Sequence, residues 1–96
     1  MDQRPRSPRV PVEFPVEIEG MDQSGEPFQA KGTAVKISAG GATIVIDIDL
    51  PVGSKVTLVQ ASGAKLTAEV NGSWIDELDG KRRIGVRLLD ANGWFG

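Results

Sequence analysis

ATIVIDID, residues 42–49, sets Ala42, Ile44, Ile46 and Ile48 in alternation with Thr43, Val45, Asp47 and Asp49. A period of two sends the two sets to opposite faces of an extended chain, so the stretch reads as a half-buried β-strand. Leu50-Pro51-Val52-Gly53 breaks it, and a short strand resumes over Lys55–Val59. Upstream, Val12, Phe14, Val16 and Ile18 alternate with Glu13, Pro15, Glu17 and Glu19. Pro15 cannot donate to a ladder, which indicates an edge position or a bulge. A turn-rich connection, Gly20–Pro27, leads into Phe28–Ile37, where the alternation is weaker. Ala30, Gly32 and Ala34 share one phase there, and Thr33, Val35 and Ile37 the other. Ser38-Ala39-Gly40-Gly41 is a tight connection.

Downstream, Leu66, Ala68, Val70, Gly72 and Trp74 fall on one phase, and Trp74 therefore reads as packing. Asp76–Lys81 is a polar hairpin loop, and Arg82–Leu89 gives a last strand with Ile84, Val86 and Leu88 inward. Nowhere does an apolar period of three to four residues persist for three turns. Six short strands joined by Gly-rich turns predict an all-β fold, a small six-stranded antiparallel β-barrel with little or no helix. Closure answers the exposed-edge problem of an open sheet. The expected organisation is an extended Arg/Pro-rich arm over residues 1–11 and one domain over 12–96.

The composition narrows the function. The 96 residues suffice for a single modest core, and 40% hydrophobic with 25% charged residues is ordinary globular usage. Cysteine and histidine are both absent. That removes the thiolate nucleophile, the commonest metal ligand and the side chain best suited to proton transfer near neutral pH. Asp47 and Asp49 do not by themselves make a calcium loop. No enzyme and no metal site is expected. A net charge of −2 argues against a general DNA, RNA or membrane-surface binder. No apolar run reaches membrane-spanning length, and the N-terminus lacks the apolar centre of a signal peptide, so a cytoplasmic protein is expected. Basic residues are nonetheless clustered, as Arg4, Arg6 and Arg9, and again as Lys81, Arg82 and Arg83.

The opening RPRSPRVPVEFPV, the central KISAGGATI and the late strands LTAEVNGSWI and RRIGVRLL together resemble the PilZ domain. This is a bacterial receptor module for cyclic-di-GMP, and the resemblance runs roughly from Gln3 to Leu89. It implies a split barrel and a non-enzymatic bacterial signalling role, with cyclic-di-GMP as ligand, no cofactor and an unidentified protein partner. The family pattern has an Arg-x-x-x-Arg arm and an Asp/Asn-x-Ser-x-x-Gly turn. Arg9 matches the second arginine; Pro5 stands at the first, flanked by Arg4 and Arg6. Ser38 and Gly41 match the turn, Gly40 lies between them, and Lys36 occupies its first position.

The chemistry suits such a ligand. Arginine meets phosphate oxygens bidentately, pairs with guanine O6 and N7, and stacks on purines. A serine hydroxyl and the amides of a Gly-rich turn favour anions. An acidic or amide side chain at the first turn position would accept from the guanine edge; lysine has donors only. Pro5 and Lys36 thus favour a second reading, a PilZ-like interaction module without nucleotide. An unrelated OB-type or SH3-like barrel is disfavoured by the acidic balance and the lack of an aromatic stacking face. Gly85 reads as a packing or bulge glycine and Lys81-Arg82-Arg83 as a solvated hairpin end. Arg87, on an outward phase, is either solvated or lines the ligand surface.

Overall fold

A computed structural model of the chain describes residues 10–21 and 24–89. It contains six strands: β1 Val10–Met21, β2 Pro27–Ser38, β3 Gly41–Val45, β4 Lys55–Gln60, β5 Lys65–Ile75 and β6 Arg82–Leu88. All pairings are antiparallel, and β4 pairs back onto β1 to close a barrel in the order β1-β2-β3-β6-β5-β4. The described residues form no helix. The all-β barrel expected from the alternation is the observed fold.

The alternating apolar positions fill the interior. Val16 and Ile18, Ala42 and Ile44, Val56 and Leu58, Leu66, Ala68 and Val70, and Ile84, Val86 and Leu88 are all buried. Ile18, Ile44, Leu58, Ile84 and Val70 are the largest fully enclosed side chains. Burial on this scale is the main force closing the ring.

Irregularities in the ladders explain where the simple period fails. Between Ala34 and Lys36 the β2–β3 register shifts, so the inward phase passes from Ala34 to Ile37. The weak alternation of residues 28–37 is two correct phases joined by this bulge. A second shift, between Val70 and Gly72, inverts the far half of β5. Trp74 consequently lies opposite Arg83 on the outer surface with 41% of its area exposed, not in the core. A third shift lies between Pro11 and Phe14, just ahead of Pro15. The β4 ladder begins only at Val16, so the proline sits where one flank of β1 is unpaired.

The expected strand over 42–49 is shorter than its alternation suggests. β3 stops at Val45, and the Ile46 N–H makes a last bond to the Arg82 carbonyl at 3.1 Å. Residues 46–54 then cross from β3 to β4, which are not neighbours in the ring. Ile46 and Leu50 remain buried on the way. Alternation persists in this segment because it still packs on the core, although it has left the ladder. Gly53 N–H to the Val70 carbonyl, 2.8 Å, and Val70 N–H to the Ser54 carbonyl, 2.9 Å, tie its end to β5.

Candidate functional site

The β2–β3 turn joins strands whose register fixes what surrounds it. Ser38 pairs with Gly41, Ile37 with Ala42 and Lys36 with Thr43. Past the bulge, Ile37 points inward, so Lys36 and Ser38 share the outer face. Lys36 is exposed and Ser38 half-buried. On the other flank of β2, Val10 pairs with Ile37 and Pro11 with Lys36. The chain therefore enters the barrel one residue from Ser38. Arg4, Arg6 and Arg9 lie outside the described residues, as does most of the expected 1–11 arm.

The two glycines of the turn occupy different environments. A side chain at Gly41 would collide with the Val86 carbonyl oxygen of β6. Gly41 is thus needed for β3 and β6 to approach each other. Gly40 is exposed, has no atom within 4 Å of a would-be Cβ, and does not have a positive φ. Nothing within the described protein requires a glycine there. The Gly40 carbonyl accepts from Leu88 N–H at 2.9 Å, which fixes the turn against β6.

Beyond the turn, the outer face of β3, β6 and β5 is low. Thr43 lies opposite Gly85, and Gly85 opposite Gly72. The ring of Trp74 reaches over this row, with Cζ3 3.3 Å from a would-be Cβ on Gly72 and 3.5 Å from one on Gly85. The result is a shallow floor of small residues with Lys36 and Ser38 at one side and an indole at the other. Sequence reasoning missed Trp74 as a member of this face, because the bulge that turns it outward leaves no mark in the alternation. Asn71, whose Oδ1 lies 2.9 Å from a would-be Cβ on Gly85, is part of the same floor.

Arg87 borders the turn as the direct partner of Gly41. It is 57% exposed and forms an ion pair with Glu69 on β5. Its outward phase is as the alternation predicts. Arg82 and Arg83, by contrast, are not a freely solvated end. Arg82 donates to Ser73 Oγ at 3.1 Å and approaches Asp49 at 3.5 Å. Arg83 donates to both Asp79 oxygens at 3.0 and 3.1 Å, and Asp76 lies 3.5 Å away. Among the described residues, no group of three or more acidic side chains converges to hold a metal ion.

Comparison with known proteins adds three findings. A family model described as the PilZ domain matches residues 3–93. No curated protein sequence matches the chain. Several solved structures share its fold. The K. pneumonia MrkH–c-di-GMP complex superposes with a TM-score of 0.68 at 19% identity, over 93% of this chain and 46% of that one. The Bacillus subtilis inhibitor of motility MotI/DgrA gives 0.68 at 20%, over 93% and 44%. YcgR from Escherichia coli, in complex with c-di-GMP, gives 0.65 at 15%, over 92% and 39%. The chain thus spans less than half the length of each of these three proteins.

Proposed function

The chain belongs to the PilZ domain family, and from that membership we propose that it is a non-enzymatic receptor for cyclic-di-GMP in the bacterial cytoplasm. One observation carries the reading: the register that brings the chain into the barrel at Val10, opposite Ile37 and beside Ser38. Arginines preceding Val10 are thereby within a few residues of the turn. Arg9, with Arg4 or Arg6, supplies the guanidinium groups for phosphate and guanine. Ser38 and the open backbone at Gly40 receive a phosphate, and Gly41 holds the turn in place. Lys36 adds a positive charge at the outer rim. The ligand lies over the Thr43–Gly85–Gly72 floor, with Trp74 offering an apolar wall. Binding orders the arm, residues 1–11, against the barrel and so creates a surface for a protein partner. MrkH and YcgR bind c-di-GMP in structures of the same fold, which supports the assignment of the ligand.

Lys36 favours a second reading. It is exposed at the position where the family has an acceptor for guanine, and an ammonium group cannot accept. A PilZ-like interaction module without nucleotide would have no need of that acceptor. Calorimetric titration with cyclic-di-GMP separates the two. The receptor reading predicts weak to moderate binding, reduced about tenfold or more by Arg9→Ala and strengthened by Lys36→Asp. Absence of both heat and amide chemical-shift change at high ligand concentration would reject it in favour of the interaction module.

A further inference from the structure

The Watson–Crick edge of guanine presents two adjacent donors, N1–H and the N2 amine, beside the acceptor O6. A face that reads this edge has to supply an acceptor of its own. On the outer face of β3, β6 and β5, most polar groups are donors or are already engaged. Lys36 and the Trp74 indole offer N–H groups only. Arg83 is held by Asp79, and Arg87 by Glu69. Thr43 is buried and engaged as well. The Ser38 hydroxyl stands at the turn, the place of a phosphate in the receptor reading.

Asn71 differs from all of these. Val70 pairs with Val86 and Gly72 with Gly85, so Asn71 is the extra residue of the β5 bulge. A bulge re-aims the side chain that it carries. Here the amide is directed over the middle of the floor, with Oδ1 2.9 Å from the place of a Cβ on Gly85. A side chain at Gly85 would push the amide aside, so the glycine leaves room for it. Asn71 is exposed, and its amide has no hydrogen-bond partner among the described residues. An asparagine that meets only water is ordinary on a protein surface. One aimed across a glycine at the centre of a low face is an acceptor in position.

The surroundings suit a purine. Trp74 flanks Gly72 and Gly85 and closes one side of the floor. Lys36 pairs with Thr43, and Thr43 with Gly85, so Gly85 lies two strand spacings from Lys36, about 10 Å. A nucleotide with its phosphate at the turn reaches that far with the edge of its base.

We propose that Asn71 is the guanine-reading residue of this domain. Its Oδ1 accepts from N1–H while Nδ2 donates to O6, the two ends of one amide meeting neighbouring atoms of the base. The assignment rests on the receptor reading and deepens it, because β5 then supplies the acceptor that lysine at position 36 does not. Glu69, two residues earlier on β5, is the competing acceptor, with one carboxylate oxygen on Arg87 and the other left over.

Calorimetric titration of the full chain with cyclic-di-GMP tests this in the unaltered protein and three variants. Asn71→Leu keeps the shape without the amide and should weaken binding at least about tenfold. Asn71→Asp should stay within about threefold of the unaltered protein, since a carboxylate accepts from both N1–H and the N2 amine. Its added charge lies about a Debye length from the phosphate at the turn. Glu69→Ala should leave affinity above that of Asn71→Leu. In the unaltered protein, the Asn71 side-chain NH₂ resonances, identified by their loss in Asn71→Leu, should shift as ligand is added. A residue that merely shapes the bulge would not show that shift. Unchanged amide spectra of the ligand-free variants show that each keeps the barrel. Binding by the unaltered protein that Asn71→Leu leaves intact overturns this assignment alone, as do equal losses for Asn71→Leu and Asn71→Asp or unmoved side-chain resonances. A larger loss in Glu69→Ala than in Asn71→Leu transfers the role to the carboxylate. No heat from the unaltered protein ends the receptor reading, and this assignment with it.

Discussion

A methyl group at Gly41 would run into the Val86 carbonyl, whereas the same group at Gly40 would meet nothing. Gly41→Ala should therefore lower stability by about 1–3 kcal/mol, because β3 or β6 must shift to make room. Gly40→Ala should change it by less than about 0.5 kcal/mol. Denaturant unfolding of the two variants checks the contrast. If a ligand approaches the turn backbone, Gly40→Ala should nonetheless lose affinity for cyclic-di-GMP while remaining fully folded. Equal stability losses for the two variants would show that the packing around the turn is misassigned. The amino-acid sequence makes Ser38, Gly40 and Gly41 visible as a turn but cannot tell the two glycines apart. What distinguishes them is a carbonyl on β6, a strand that the chain reaches only some forty residues later.

Most strands were legible as elements, because a ring with a dry interior and a wet exterior imposes a period of two on nearly every residue. What stayed hidden was local. A bulge adds one residue and reverses the faces beyond it, so Gly72 and Trp74 kept the inward phase of Val70 on paper and lost it in the barrel. The crossing at 46–54 kept an apolar rhythm without being a strand. The charges of the β5–β6 hairpin were legible individually, but their pairing needed the turn. Hydrogen bonds from Arg83, and after them the Lys81 N–H, hold the Asp79 carboxyl at a pKa of about 2, below its ordinary 3.8. A folded-state value below the unfolded one stabilises the hairpin fully above the unfolded pKa; that contribution fades as the pH falls towards 2. Carboxyl chemical shifts followed by NMR should place the Asp79 midpoint near 2, and Arg83→Ala should raise it towards the ordinary value. A midpoint unmoved by the arginine would remove the clamp from the description of the hairpin.

The barrel as a whole depends on a narrow core. Ile44 is fully enclosed at its centre, between Ala34 on β2 and Ile84 on β6 in the ladder order. Ile44→Ala should cost about 2–5 kcal/mol, a large fraction of what a domain of this size possesses. Thermal unfolding would register it as a drop in midpoint of many degrees, and a drop of only a degree or two would mean that the interior can refill the space. Closure also decides where a stimulus could be expressed. Each strand is paired on both flanks over part of its length, so sliding any one of them by a residue would tear two ladders and turn its buried side chains out to water. A frame of this kind acts as an anvil and not as a spring: it can position a signal but cannot carry one by deforming. A conformational change of this molecule therefore belongs to chain attached to the ring and not to the ring itself.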